Sequence, residues 1–218
     1  MASIQIQLRQ ATRSDLPKIA ELISEGLSFD GLTIVQTTEE LEEEFGGPYC
    51  FLDQDVMVAE HESNIIGVGY TYFLPSETKE ERCYTFGTTK PEFRGNGVGT
   101  AVMQWATEHG ESLLRSTKRT LPRYLRSDMS ATNSTAGSLF QSFNMSPVRW
   151  NDDLIIDLAN SPEVFTATEY SIVPWDSSRD EEARVLKNLA FMDHWGSTPT
   201  SKDGWEQLVH GSTARLDQ

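Results

Sequence analysis

The sequence predicts a mixed α+β fold in which a central, mostly antiparallel sheet is flanked by helices. Two strand-like runs separated by a short turn indicate a hairpin, and a glycine-rich segment lies between another strand-like run and a long amphipathic stretch. The predicted order over the first 160 residues is β-α-α-β-β-β-α-β-α-β, which is typical of layered α+β domains. The 218 residues are long for one such domain and short for two.

The N-terminal elements are a strand and two helices. Alternation of apolar and polar residues from Ile4 to Leu8 predicts a half-buried strand. Ser14 and Asp15 then cap a helix that continues to about Gly26, with Pro17 in its first turn, where proline is tolerated. A shorter helix is predicted from Thr38 to Phe45, with a solvated acidic face.

A hairpin and a further strand follow. Residues 56–61 and 65–73 read as two strands joined by residues 62–64, and Arg82 to Thr89 reads as a strand that leads into the glycine-rich segment. After that segment, apolar and aromatic residues at helical spacing predict a helix with one buried stripe. The stripe consists of Val98, Val102, Trp105, His109 and Leu113.

The first 160 residues end with a strand, a helix and a strand. Residues 123–129 alternate as a strand, and a helix follows from Asn133 to Phe143. Its inward side is predicted to carry Ala136, Leu139, Phe140 and Phe143. The segment from Arg149 to Leu158 is predicted to close the sheet.

The segment Arg94-Gly95-Asn96-Gly97-Val98-Gly99-Thr100 is the clearest functional signal. Glycines at alternate positions let a ligand approach main-chain N–H groups, and the first turn of the following helix has unpaired donors and a partial positive charge. Such a loop favours a phosphate or pyrophosphate. It matches neither the dinucleotide fingerprint, which requires a glycine at Thr100, nor the P-loop, which requires Gly-Lys-Ser/Thr.

From Pro91 to Gly99 the sequence resembles motif A of the GNAT acetyltransferase superfamily, with Thr89 in place of the leading valine. The resemblance implies a GNAT-like fold, with acetyl-coenzyme A as co-substrate. It also implies that acetyl is transferred to an amine by direct attack in a ternary complex. The cofactor contacts carried over by the resemblance are Thr88, Thr89, Arg94, Gly95, Asn96, Gly97, Val98, Gly99, Thr100 and Asn133.

A second family motif is preserved only in outline. In the family, a tyrosine on the helix after the fifth strand commonly protonates the departing coenzyme A thiolate. Asn133, Ala136 and Leu139 match that pattern, but the tyrosine position holds Phe140, which has no proton to give. A domain that binds acyl-coenzyme A without turnover is therefore the alternative to an enzyme.

The general base is not identified by the sequence. Glu60, Glu81 and Tyr84 are the weak catalytic candidates. Other side chains that could reach the expected substrate cleft are His61, Tyr70 and Tyr72. Each of these residues has an ordinary structural explanation as well, in a solvated connection or in the amphipathic core.

The composition narrows the classes of molecule that the protein is expected to bind. A net charge of −15 argues against nucleic acid and anionic membrane, and is compatible with a cationic amine on a small molecule or peptide. Cys50 and Cys83 have no metal-ligand spacing, so we expect no metal and reduced thiols in a cytoplasmic protein. Neither a secretion leader nor a membrane span is expected, and a homodimer is compatible with the sequence.

The last residues weakly repeat the first. Residues 169–174 and 176–194 follow the layout of residues 4–26, a short strand and then a capped helix, and a further helix is expected over 201–210. The segment Ala190-Phe-Met-Asp-His-Trp-Gly-Ser197 resembles one in the tandem acetyltransferases related to mycothiol synthase. We therefore expect a GNAT-like domain at 1–160. Residues 161–218 are expected to be the truncated start of a second one, either docked on the first or mobile.

Overall fold

The computed structural model describes residues 4–152, 154–157, 159, 169, 171–211 and 214. Its centre is a five-stranded sheet in the order β1-β2-β3-β4-β5, antiparallel except for the parallel pair β4–β5. The strands are β1 (Gln7–Gln10), β2 (Val56–His61), β3 (Asn64–Leu74), β4 (Glu81–Thr89) and β5 (Arg123–Arg126). The predicted fold class, a mostly antiparallel sheet flanked by helices, is confirmed.

Seven α-helices are described. They are α1 (Leu16–Phe29), α2 (Thr38–Glu44), α3 (Leu52–Asp55), α4 (Val98–Ser116), α5 (Ser134–Ser142), α6 (Asp180–Ala190) and α7 (Lys202–His210). Helices α1 and α4 cover opposite faces of the sheet, because the successive β4 residues Gly87 and Thr88 face α4 and α1 respectively.

The helix starts agree with their capping residues. The chain enters α1 through a 3-10 turn, Arg13–Asp15, in which the Thr12 N–H and hydroxyl both donate to the Asp15 carboxylate. Helix α2 begins with a capping box between Thr37 and Glu40. These local contacts explain why the two N-terminal helices were predictable to within a few residues.

Helix α4 lies very close to the sheet. A Cβ at Gly69 of β3 would overlap Cγ1 of Val102, so glycine is needed there for the helix to approach. The buried side of α4 consists of Val98, Val102, Met103, Ala106, Gly110 and Leu114.

The predicted stripe on α4 is therefore wrong beyond Val102. Trp105, His109 and Leu113 are only half-buried, because one residue along a helix turns the side chain by about 100°. The His109 ring stacks on Trp105, and its Nε2 lies 2.7 Å from Oδ1 of the buried Asp55. This structural pairing accounts for His109.

Two predicted strands are absent from the described residues. Residues 149–152 and 154–157 form no strand, and Leu158 lies outside the described part of the chain. Leu154 and Ile155 are each 95% exposed, so these apolar side chains cover no part of the sheet. In the C-terminal part, residues 169 and 171–174 are also not a strand, and Ile172 is 98% exposed. Tyr170 of that predicted strand lies outside the described residues, as do residues 161–168 of the predicted second domain.

The C-terminal helices are docked on the rest of the chain. The hydroxyls of Tyr49 and Ser201 lie 2.9 Å apart, and the Gln207 amide donates to the Glu43 carbonyl at 3.0 Å. Trp205 and Val209 of α7 are buried. Of the two arrangements expected for this segment, the structure has the docked one.

The loop between α6 and α7 packs on β4 and β5. The Trp195 ring lies between two guanidinium groups, 4.7 Å from that of Arg126 and 4.9 Å from that of Arg149. Arg82 donates to Thr198 Oγ1 at 2.6 Å and also to the Gly196 carbonyl. Cation–π contacts and hydrogen bonds therefore attach this loop to the edge of the sheet.

Candidate functional site

The site begins where β4 and β5 separate. Their pairing ends at Tyr84 and Arg126, and the last contacts between them are at Thr85. There the Thr85 hydroxyl donates to the Arg126 carbonyl at 3.3 Å, and the Ser127 hydroxyl donates to the Thr85 carbonyl at 2.7 Å. Strand β5 is shorter than the predicted 123–129 because its continuation diverges here. The divergence leaves one edge of β4 open from Phe86 to Thr89, with no described strand beside it.

A cleft of about 530 Å³ occupies this opening. It runs from the glycine-rich loop, between α4 and α5, to the side of the sheet covered by α1. Sheet residues on its wall are Tyr70, Thr85, Phe86, Gly87, Thr88 and Thr89. Helix residues include Ile23, Leu27, Val102, Met103, Ala106, Leu139 and Phe140. The cleft wall is thus largely apolar, with a smaller share of polar groups.

The glycine-rich loop presents free main-chain donors to the cleft. Gly95 and Gly97 have φ angles of 78° and 88°, in the left-handed region that favours glycine, and Gly97 is the N-cap of α4. The first hydrogen bond of α4 runs from Ala101 N–H to the Gly97 carbonyl at 3.0 Å. No described residue accepts a hydrogen bond of normal geometry from the N–H groups of residues 95–100. This arrangement suits an anion.

Arg94 is held beside this loop by protein groups. Its Nη1 donates to Asp30 Oδ1 at 2.6 Å, its Nη2 to Asp30 Oδ2 at 3.1 Å and its Nε to the Thr89 carbonyl at 3.3 Å. The guanidinium also lies 4.9 Å from the Phe29 ring centroid. The side chain predicted to meet a pyrophosphate is therefore paired with an acid in this structure.

Asn133 has two roles at the start of α5. Its side-chain oxygen accepts from the Ala136 N–H at 3.0 Å and caps the helix, while its amide donates to Asp30 Oδ2 at 2.9 Å. About two turns further on, the Phe140 side chain lines the cleft. A side chain at this position does face the site, and here it carries no titratable proton.

Most of the predicted cofactor residues meet in the cleft. Those on its wall are Thr88, Thr89, Arg94, Gly95, Gly97, Gly99, Thr100 and Asn133. The other two offer main-chain groups only: the Val98 side chain is in the core, and the Asn96 amide donates to the carbonyls of Phe93 and Arg94.

Comparison with known proteins identifies the family of this chain. Residues 20–128, half of the chain, match the family model described as Acetyltransferase (GNAT) family. The chain belongs to this family. No curated protein sequence matches it.

Solved structures share the GNAT fold. A GCN5-related N-acetyltransferase from Sphaerobacter thermophilus is similar with a TM-score of 0.66 and 20% identity, over 94% of this chain. The chain spans 63% of the length of that protein. A putative acetyltransferase from Agrobacterium tumefaciens has a TM-score of 0.51 and 16% identity, over 69% of this chain and 99% of its own.

One similar structure contains coenzyme A. It is the aminoglycoside N-acetyltransferase AAC(6')-Iy in complex with CoA, with a TM-score of 0.50 and 13% identity. The match covers 71% of this chain and 97% of that one. At these identities the similarity concerns the fold.

The three weak catalytic candidates do not line the cleft of this GNAT domain. Glu60 lies near the end of β2 and accepts from Arg9 at 2.7 Å. Glu81 is fully buried at the start of β4, among Thr117, Arg119 and Arg123. The geometry favours structural roles for both carboxylates.

Of the aromatic candidates, Tyr70 lines the cleft and Tyr84 does not. Tyr84 stacks on Phe86 with ring centroids 6.1 Å apart. The Tyr70 ring packs on Phe86 at 5.1 Å and edge-on against Phe45 at 5.0 Å. Burial raises the pKa of Tyr70 above its ordinary value, so its hydroxyl stays protonated at neutral pH.

The other two neighbours lie outside the cleft wall. His61 Nδ1 is 2.9 Å from the Gln5 carbonyl, and Tyr72 packs against Tyr49 at 5.5 Å. Burial raises the pKa of Tyr72 to about 12. Neither side chain is placed to meet a substrate in the cleft.

Asp30 is the site residue that sequence reasoning missed. It is the C-cap of α1 and is followed by Gly31, whose φ of 83° turns the chain away from the helix. An acid followed by glycine after an amphipathic stretch signals a helix end. Nothing local indicates that its carboxylate meets Arg94, which is 64 residues away in the chain.

A group of possible metal ligands occurs elsewhere, on α6 and α7. Ligand atoms of Asp180, Glu206 and His210 lie within 4.8 Å of one another. His210 Nε2 is 2.6 Å from Asp180 Oδ2, and this hydrogen bond raises the pKa of His210. The pairing explains the group without an ion. None of the helices in the described part of the chain has the length and apolar character to cross a membrane.

Proposed function

We propose that this chain is an N-acetyltransferase that moves the acetyl group of acetyl-coenzyme A to an amine of a small molecule or peptide. The observation that carries this is the row of N–H groups in residues 95–100, which have no acceptor among the described residues. Gly95, Gly97, Gly99 and Thr100 of this row line the cleft. These amides and the start of α4 would bind the diphosphate. The open edge of β4 would hold the pantetheine arm.

The chemistry is a direct attack in a ternary complex. The amine nitrogen forms a bond to the thioester carbonyl carbon, the carbon–sulfur bond breaks, and the thiolate takes a proton. The nitrogen loses a proton to a base or to water, so atoms and charge balance. The N–H groups of β4 point alternately to β3 and to the open edge, and the Lys90 N–H donates to the Ile66 carbonyl beside β3. The main-chain N–H groups of Gly87 and Thr89, on the cleft wall, are therefore the donors available to a developing oxyanion.

A domain that binds acyl-coenzyme A without turnover is the second candidate. Phe140 on the cleft wall favours it, as does the placement of Glu60, Glu81 and Tyr84 away from the cleft. The reference pKa of a thiol, about 8.5, makes thiolate a tolerable leaving group even without a dedicated acid. Loss of the tyrosine would slow transfer rather than abolish it.

An acceptor screen separates the two candidates. Purified protein, acetyl-coenzyme A and a panel of amines are assayed for released thiol with a disulfide reagent. The protein's own thiols should interfere little, because Cys50 and Cys83 are fully buried and burial raises the pKa of Cys83 to about 12. Turnover with any amine supports the enzyme; tight binding without turnover supports the binding domain.

A glutamate in the loop tests the anion site. Gly97→Glu places a side chain and a negative charge at the N-terminus of α4, so calorimetry should detect no coenzyme A binding. Gly31→Glu is the matched control, because Gly31 has a similar φ of 83° and no atom within 4 Å of an added Cβ. Binding by the Gly97 variant as tight as the parent's would refute the assignment.

The proposed division of the chain is residues 1–160 and 161–218, the second part resembling the start of another GNAT domain. The 3-10 turn Ser177–Arg179 followed by α6 repeats the layout of Arg13–Asp15 followed by α1. The relationship to tandem acetyltransferases rests on this similarity and on residues 190–197. Limited proteolysis, with cleavage between 158 and 170, would support the boundary.

A further inference from the structure

Asp30, at the end of α1, is hydrogen-bonded to two other parts of the cleft wall: the glycine-rich loop and the start of α5. Its carboxylate accepts two hydrogen bonds from Arg94 and one from the Asn133 amide, and its carbonyl accepts from the Thr132 hydroxyl at 3.1 Å. We call these contacts the Asp30 bridge. The bridge ties the C-terminal end of α1 both to the glycine-rich loop and to the start of α5.

The bridge spans the cleft. Asp30, Arg94 and Asn133 all lie on its wall, on α1, the loop and α5 respectively. Because α5 is joined to β5 by irregular residues, contacts at its first turn fix how closely it lies against α1. Asp30 and Arg94 side chains are 17% and 22% exposed, so water screens their attraction only in part.

The bridge also neutralises the positive charge of Arg94. Of the described residues on the cleft wall, Arg94 is the one cation, whereas Asp30 and Asp128 are acids. The Asp30 carboxylate occupies the N–H edge of the guanidinium that would otherwise pair with phosphate oxygens. An incoming diphosphate therefore meets free amides but an arginine that is already neutralised.

We propose that Asp30 is an internal competitor of the cofactor's diphosphate: its carboxylate holds Arg94 and Asn133 while the cleft is empty, and diphosphate binding displaces it. This inference rests on the proposed binding of coenzyme A and adds a control on it. Release of the carboxylate frees Arg94 for the phosphates and removes the Asn133 contact that holds the start of α5 against α1.

The test replaces Asp30 with asparagine, which has nearly the same shape but no charge. Asp30→Asn should bind coenzyme A about 10-fold more tightly in calorimetry. In this variant Arg94 does not have to give up an ion pair before it contacts the diphosphate. Asp128→Asn is the matched control, since Asp128 is the other acid on the wall and is exposed. It should change the dissociation constant less than about 2-fold. Pantetheine, which lacks the diphosphate, should bind all three proteins alike.

A milder variant guards against misfolding. Thr132→Val removes one contact of the bridge at an exposed position without altering charge, and should tighten coenzyme A binding in the same direction by a smaller factor. Weaker or unchanged binding by folded Asp30→Asn, or equal tightening by Asp128→Asn, would overturn the proposal.

Failure of the proposed function has a different outcome. If the parent and Asp30→Asn both leave coenzyme A unbound while their melting curves show them folded, the cofactor assignment is wrong and the bridge has no competitor. If the variant alone binds, the competition is established. Tight binding without transfer to any amine leaves the bridge standing and removes the enzymatic activity.

Discussion

The Thr117 hydroxyl donates a 2.6 Å hydrogen bond to the Glu81 carboxylate, across 36 residues of sequence. Glu81 is the first residue of β4 and is completely buried, and Arg119 and Arg123 supply the positive charges near it. This group joins the start of β4 to the connection between α4 and β5. It lies at the closed end of the strand pair whose other end opens into the cleft.

Replacing Glu81 should therefore affect stability. Glu81→Ala removes the buried carboxylate that Thr117, Arg119 and Arg123 share, and we expect the free energy of unfolding to fall by about 3 kcal/mol. Urea denaturation measures it. Glu60→Ala, which removes a part-exposed ion pair with Arg9, is the control and should cost less. A folded Glu81→Ala protein with unchanged stability would contradict this account.

Gly69 and Val102 should be energetically coupled. Gly69→Ala places a methyl group against Val102 and should cost about 1 to 3 kcal/mol by overpacking. Val102→Ala leaves a cavity and should cost about 2 kcal/mol. In the double variant the two changes compensate, so its loss should be smaller than the sum of the single losses. Strictly additive values would show that α4 does not rest on this glycine.

Phe140→Tyr tests the missing proton donor. The side chain faces the cleft, so a hydroxyl there could protonate the thiolate and raise kcat with a suitable amine by about 10-fold or more. The dissociation constant of coenzyme A should stay within a factor of about 2. Phe143→Tyr, at the C-cap of the same helix and outside the cleft wall, should leave kcat unchanged. A lower kcat for Phe140→Tyr would mean that the site uses another donor.

Glu44 should make stability depend on pH. Burial is the main cause of its raised pKa, with a smaller effect of Glu40, so the charged form is disfavoured in the folded protein. The cost is absent below the unfolded pKa of about 4.3 and grows as pH rises through the folded value. Glu44→Gln should thus raise the melting temperature at pH 7 and leave it nearly unchanged at pH 4. The exposed Glu39→Gln should show no such difference, and equal shifts at both pH values would refute the assignment.

The sequence was informative wherever the signal was local. The loop from Arg94 to Thr100 could be recognised because its glycines and the following helix start are contiguous. The hairpin was predictable because its strands are adjacent in the chain. The cleft also follows from β5 diverging from β4, but the alternation of residues 123–129 gave no sign of where pairing would end.

Contacts between distant residues could not be predicted. The Asp30 bridge joins residues 64 and 103 positions apart, and no local pattern selects those partners. The segment from Arg149 to Leu158 was predicted to close the sheet, but a strand needs a neighbour and a surface to cover, which the sequence does not display. The position of Tyr70 in the cleft depends on the register of β3 against β4, which only the folded sheet fixes.

The contact between α7 and Tyr49 leaves no space at Gly204, where an added Cβ would overlap the tyrosine hydroxyl. One added methyl group would therefore displace either the Tyr49 ring or α7, neither of which lines the cleft. A single added carbon atom at Gly204 would thus weaken the contact of α7 with Tyr49 without shortening the polypeptide.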